Sequence, residues 1–142
     1  MKVKITKVCP QAQIPTKGSE GAAAFDLYAT EAVFIPPGET VAVGTGLAME
    51  IPKFWKGDIY SRSGLASRGV VVANSPGKID SDYRGEIKVL LHNNRSVDII
   101  GIELGDRIAQ FEINPVHDME FEEVATLEES TRGDGGFGST GK

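Results

Sequence analysis

The chain has 142 residues, with 15 Lys and Arg against 20 Asp and Glu and a net charge of −5. That length fits one domain with a real core, and the acidic balance argues against a general nucleic-acid coat, which needs a basic face. Cys9 is the single cysteine, so neither a disulfide framework nor a cysteine-based zinc site is expected.

Val and Ile total 24 against 7 Leu, and there are 17 glycines. Branched side chains suit pleated surfaces and glycines supply turns, so an all-β sandwich or barrel is expected. The opening MKVKITKV alternates polar and apolar residues and carries no apolar leader. No stretch approaches the ~20 apolar residues of a membrane span. The chain therefore reads as cytoplasmic, with neither nucleic acid nor membrane as a partner.

In chain order, KVKITKV (2–8) predicts a strand. AAAFDLYA (22–29) holds one carboxylate, Asp26, among apolar residues; a buried lone acid is costly unless it meets an arginine or a hydrated metal. AVFIPPGETVAVGTGLAMEI (32–51) predicts two strands broken at Pro36-Pro37-Gly38, with Gly44 and Gly46 as bulge or bend positions. GDIYSRS, GVVVANSPG, GEIKVLLHN and RIAQFEINPV continue at sandwich-like spacing. SGLASRG (63–69) predicts one short helix, with Ser63 as N-cap and Gly69 as its stop. The acidic MEFEEVATLEES reads as a solvated connector. The expected layout is one β domain over 1–142, with a core of about 1–125 and a C-terminal arm of about 126–142.

Besides AAAFDLYA, three internal stretches can carry chemistry. In YSRSGLASRG (60–69), an extended run turns into the helix at Ser61, Arg62, Ser63 and Gly64, and free N–H groups beside a guanidinium suit an anion. The same tetrapeptide also reads as an ordinary turn. In NSPGKIDSDYRGEIKV (74–89), Asn74, Pro76 and Gly77 mark a hairpin-like turn. Asp80 and Asp82 are two apart and face one way if extended; they read as a base with its neighbour, a metal pair, or turn formers. The apolar setting of Asp80 beside Ile79 suits a partly desolvated general base. GDRIAQ (105–110) places Asp106, Arg107 and Gln110 at the start of a strand, with Arg107 a natural internal partner for one of the acids. His92 and His117 have no metal-pair spacing, and no Ser-His-Asp set or Cys-His pair can be assembled.

The closing RGDGGFGSTGK (132–142) contains most of a P-loop pattern. A P-loop also needs a Ser or Thr after the lysine and a helix behind it. Neither follows Lys142 in this sequence, so a P-loop is not expected. A plain Gly/Ser tail remains open, although Arg132 and Phe137 exceed what an inert linker needs.

In this order, AAAFDLYA, SRSGLA, NSPGKIDSDYRGE, GDRIAQ and RGDGGFGSTG resemble the five motifs of the trimeric dUTPase family, from residue 22 to 141. Each motif is weak alone; the ordered set is specific. The resemblance implies a distorted jelly-roll subunit, a homotrimer with shared active sites, and Mg²⁺-assisted cleavage of dUTP to dUMP and pyrophosphate. That reaction keeps uracil out of DNA and supplies dUMP for thymidylate synthesis. It implies that Asp80 activates the attacking water and contacts the sugar 3′-hydroxyl, with the Tyr83 ring beneath deoxyribose. Asn74 and the backbone of Gly77, Lys78 and Ile79 would read uracil. Arg62, Ser63 and Gly64 would bind phosphate, and Lys88 would border the substrate. Asp26 and Gln110 would hold the attacking water, the α-phosphate and the water shell of a Mg²⁺ carried mainly by the triphosphate. Arg132 with Phe137, Gly138, Ser139 and Thr140 would form a lid, Phe137 stacking on uracil. Lys78 departs from the small or β-branched residue usual there, with little loss of base affinity expected. The rivals are a dCTP deaminase relative, which needs a glutamate that the IDSDYRG run lacks, and a non-catalytic dUTP-binding regulator.

Overall fold

The computed structural model describes residues 1–136. In chain order its elements are β1 (Lys4–Lys7), β2 (Phe25–Tyr28), β3 (Val33–Ile35), β4 (Thr40–Gly44), β5 (Leu47–Glu50) and β6 (Trp55–Tyr60). A single helical turn, α1 (Ser63–Ala66), precedes β7 (Val70–Val72), β8 (Gly77–Ile79), β9 (Lys88–Asn93), β10 (Ile100–Ile102) and β11 (Arg107–Pro115). Every strand pairing is antiparallel, in the sheets β2-β11-β6-β8, β4-β9-β7, β1-β5 and β10-β3. The expectation of an all-β sandwich or barrel with one short helix, refined to a jelly roll by the resemblance, is met.

The branched residues that argued for strands build the core. Leu27, Ile35, Val43, Leu47, Ile59, Leu91, Ile102, Ile108 and Phe111 belong to one contiguous buried cluster. Fully burying each Leu or Ile is worth roughly 2 kcal/mol before conformational entropy is subtracted. At nine residues, β11 is the longest strand and the spine of the four-stranded sheet, flanked by β2 and β6.

The chain departs from the sequence expectations in four places. The 32–51 stretch forms three strands, not two, because the chain changes sheet between β4, which pairs with β9, and β5, which pairs with β1. Gly46 makes that corner with φ +64°, and a Cβ there would sit 2.5 Å from Cys9 Sγ. The segment after β7 is not a hairpin: β7 pairs with β9 and β8 with β6, so Asn74–Gly77 is a crossover between sheets. The N-cap of α1 is Arg62, extended at φ −87° and ψ 135° and without a side-chain cap. Ser63 is instead the first helical residue. Finally, the three-residue β10 was too short to stand out by alternation.

Gly46→Val should cost about 2–4 kcal/mol, combining a left-handed backbone with a buried clash. Chemical denaturation measures this; an unchanged midpoint would remove Gly46 as the corner-maker.

Candidate active site

Asp26 is 5% exposed, so its charge needs partners. Arg62 Nε donates to its Oδ1 at 2.8 Å, and Arg107 Nη1 donates to its Oδ2 at 3.4 Å. The guanidinium of Arg62 also donates to the Arg107 carbonyl at 3.3 Å. Of the two open possibilities for Asp26, the structure places the arginines. Its surroundings arise from a β-bulge. Arg107 opposes Tyr28 and Ala109 opposes Leu27, so Ile108 is an extra residue on β11. That bulge puts Arg107 and Gln110 on the same face as Asp26 despite their odd spacing. Gln110 lies directly across from Asp26 on one side and Tyr60 on the other. Just past Tyr60, Ser63 and Gly64 are exposed, and nothing would crowd a Cβ on Gly64.

A second cluster surrounds β8. Asn74, Lys78, Ile79, Asp80, Tyr83, Glu86, Lys88 and Leu90 line an open pocket of about 570 Å³. β8 is the edge of its sheet, so the backbone groups facing away from β6 are free to meet a flat polar partner. Tyr83 folds back because Gly85 leaves room: a Cβ there would lie 2.6 Å from the phenol Cζ. The hydroxyl then donates to the Glu86 carbonyl at 2.9 Å. The partly desolvated setting expected for Asp80 is not met: Asp80 is exposed, because only the half-buried Ile79 flanks it before the turn.

The register separates the two clusters. Ile79 opposes Gly57, which puts Asp80 level with Lys56, whereas Gln110 opposes Tyr60 and Arg62 lies beyond it. At ~3.3 Å per residue, Asp80 and Arg62 sit roughly 15–20 Å apart along the strand direction.

Between them lies a carboxylate that sequence reading passed over. Asp58 is 2% exposed and directly opposes Lys78 on β8 and Glu112 on β11. Lys78 Nζ donates to its Oδ1 at 2.5 Å, Asn114 Nδ2 to its Oδ2 at 2.8 Å, and Lys56 lies 3.2 Å away. Burial favours the neutral acid, but the hydrogen bonds from Lys78, Asn114 and Lys56 outweigh it and hold the carboxyl below its ordinary 3.8. The hydrogen bond to Asp58 holds the Lys78 ammonium above its ordinary 10.5. Glu86 was also missed: its Oε1 accepts from the Gly46 N–H at 3.0 Å, and Lys88 lies 3.6 Å from its Oε2. The only sequence signal for Asp58 was the even spacing of Lys56, Asp58 and Tyr60 along one strand.

In the C-terminal segment, Arg132 Nε donates to its own loop, at the Gly135 carbonyl. Phe137, Gly138, Ser139 and Thr140 lie outside the described residues. Among the described residues no three His, Cys, Asp or Glu converge as a direct metal cage. An amide at Gln110 beside a carboxylate neutralised by two arginines suits contact with a metal's water shell rather than inner-sphere ligation. No helix of the described residues is long and apolar enough to cross a membrane.

A family model described as dUTPase matches residues 10–141. The chain belongs to the dUTPase family. A deoxyuridine 5′-triphosphate nucleotidohydrolase of Nautilia profundicola is 52% identical over 143 residues, covering 100% of both chains. The dUTPase of Staphylococcus bacteriophage 80alpha, solved with dUpNHpp, is similar with TM-score 0.89 at 28% identity over 99% of each chain. A variant dUTPase of phage phi11 of S. aureus, described with a structural Mg(II) ion, shares the fold at TM-score 0.81 and 24% identity. That match covers 91% of this chain and 100% of the other.

The Asp58–Lys78 pair gives this dUTPase-family chain a two-sided pH dependence. Asp58 has a lowered folded pKa, so its contribution is present above 3.8 and lost as pH falls through the folded value. Lys78 has a raised one, so its contribution is present below 10.5 and lost as pH rises through the folded value. Melting temperature against pH should therefore fall less steeply below about pH 4 in Asp58→Asn than in the parent. Equal acid limbs would count against the pairing.

Proposed function

We propose that the chain hydrolyses dUTP to dUMP and pyrophosphate at sites shared between the subunits of a homotrimer. The observation that carries the sharing is the register. One subunit holds Asp80 and Arg62 at opposite ends of β6, roughly 15–20 Å apart by strand rise, too far to meet at a single α-phosphate. Asp80 of one copy facing Arg62, Asp26 and Gln110 of another brings base and phosphate groups together. The exposed C-terminal stretch supports association. β11 ends at Pro115, and beyond it Phe121 is 99% and Leu127 87% exposed, apolar surface that a lone subunit leaves in water. An apolar hollow of about 440 Å³, lined in part by Val3, Ile5, Met49, Phe111 and Ile113, is a surface suited to receive such side chains.

In this reading the free edge of β8 pairs with the uracil rim, and Asn74 closes the turn beside it. Hydrogen-bond matching rejects cytosine, whose edge would leave backbone groups unpaired, and a close-fitting wall rejects the thymine methyl. The Tyr83 ring lies under deoxyribose and leaves no room for a 2′-hydroxyl. Asp80 contacts the 3′-hydroxyl and takes a proton from the water it orients; the water oxygen bonds to the α-phosphorus in line. The bond from that phosphorus to the α,β-bridging oxygen breaks, and pyrophosphate leaves. Arg62, fixed against Asp26, presents the remainder of its guanidinium to developing negative charge, with the N–H groups at Ser63 and Gly64 beside it. Gln110 holds the water and the α-phosphate from the other side, and Lys88 borders the pocket. Mg²⁺, when bound with the triphosphate, supplies charge neutralisation, with Asp26 and Gln110 reaching its waters. Arg132, Phe137, Gly138, Ser139 and Thr140 serve as the lid over base and terminal phosphates. Family membership supports hydrolysis over deamination. The product dUMP would feed thymidylate synthesis, and removal of dUTP would keep uracil out of DNA.

Pyrophosphate release should be rapid with dUTP and at least about 100-fold slower with dCTP, dTTP and UTP, since a polar edge built for one base rejects mismatches strongly. Asp80→Asn should keep nucleotide binding and lower kcat by about 10²–10⁴-fold; near-normal turnover would remove Asp80 as the base. Deleting residues 132–142 should depress turnover while leaving the melting temperature within about 3 °C, because exposed termini contribute little to stability. An unfolded truncation would contradict the lid.

A further inference from the structure

The hydrogen-bonded row Lys78–Asp58 has a consequence for the nucleotide pocket. β8 is three residues long and has one neighbour, β6. So short an edge strand has few ladder bonds to fix it, and cross-strand side-chain pairs then carry much of the registration. Lys78 is the central residue of β8, and its ammonium reaches across to an Asp58 that is 2% exposed. Asp58 is itself immobilised by Asn114 of β11 and by Lys56, so the anchor is tied to the middle of the sheet. The Lys78 side chain thus grips the sheet face while the outer edge of the same residue stays free to meet a ligand.

We infer that the Lys78–Asp58 pair is a clasp that holds the pocket edge β8 in its binding-ready position, making Lys78 a positioning residue for nucleotide selection. This rests on the reading that the Gly77–Ile79 backbone recognises uracil. The clasp acts by preorganisation: it removes motion from β8 before ligand arrives, and binding then orders less chain. Removing Lys78 leaves Asp58 paired with Lys56 and Asn114, so the buried carboxylate is not orphaned and the sheet should persist.

Lys78→Met keeps the aliphatic stem and deletes the charge. In the full-length enzyme it should raise KM for dUTP about five- to tenfold while kcat stays within about twofold, the mark of lost ground-state ordering rather than lost chemistry. Lys78→Arg should return KM to near the parent value. Amide hydrogen exchange at residues 77–79 should quicken in Lys78→Met with β2 and β11 unchanged, a readout independent of turnover. Asp58→Asn combined with Lys78→Met should be no worse than the larger single effect, as expected for two ends of one interaction. An unchanged KM and unchanged exchange at β8 in Lys78→Met would overturn the clasp, as would a drop in kcat at constant KM. Parent turnover of dUTP tests the underlying reading by itself; the ratio of variant to parent tests the clasp.

Discussion

A carboxylate that burial alone would not tolerate organises this molecule. Asp26 on β2 is held by Arg62, which leads into α1, and by Arg107, which opens β11. Removing one partner from such a buried pair typically costs about 3–5 kcal/mol, because the remaining charge is stranded. The three-way contact therefore fixes where β6 ends, where the helical turn begins and how β11 enters the sheet. It also leaves Arg62 with donors to spare, next in the chain to Ser63 and Gly64, which are open to solvent. The contact that the buried charge requires thus uses the arginine to which the proposed function assigns phosphate binding.

Antiparallel pairing then imposes a length scale. The sheet order β2-β11-β6-β8 lays three polar rows on one face: Asp26, Gln110 and Tyr60; then Glu112, Asp58 and Lys78; then Asn114 and Lys56. The arginine cluster caps one end and Asp80 follows the other. By strand rise the gap between them is roughly 15–20 Å, too long for both to reach one α-phosphate from the same chain. In the proposed homotrimer, closed cyclic symmetry would let each copy supply a base-and-sugar half to one site and a phosphate half to another.

Much of this was legible in the residues. Branched side chains, glycine and proline positions and short strand-like runs led to an all-β sandwich, and β1, β9 and β11 fall inside the runs marked in the sequence, while β6 starts two residues before its run. The isolation of Asp26 among apolar neighbours correctly called for a cationic partner, and Arg107 was one of the two. Apart from the short β10 and the one-residue shift of the helix cap, the misses depend on partners distant in sequence. The sheet change at Gly46 turns on Cys9 behind it, the crossover at Asn74 on β7 and β8 choosing different sheets, and the role of Asp58 on Lys78, 20 residues further on. The bulge at Ile108 was invisible because both Ile108 and Ala109 are buried, a pattern that simple alternation reads as an error. Lys78, noted as a departure from family habit, gains its meaning only when Asp58 is seen across the strand.

Complementation between subunits probes the shared-site account most directly. Asp80→Asn and Arg62→Ala chains, each inactive as a homotrimer, would be denatured, mixed one to one and refolded together. If every site draws Asp80 from one copy and Arg62 from another, random mixing restores both groups to about one quarter of sites, and dUTP turnover returns to that fraction of the parent rate. A mixture that stays as inactive as its components, while forming trimers, would show that base and arginine come from the same chain and would contradict the account.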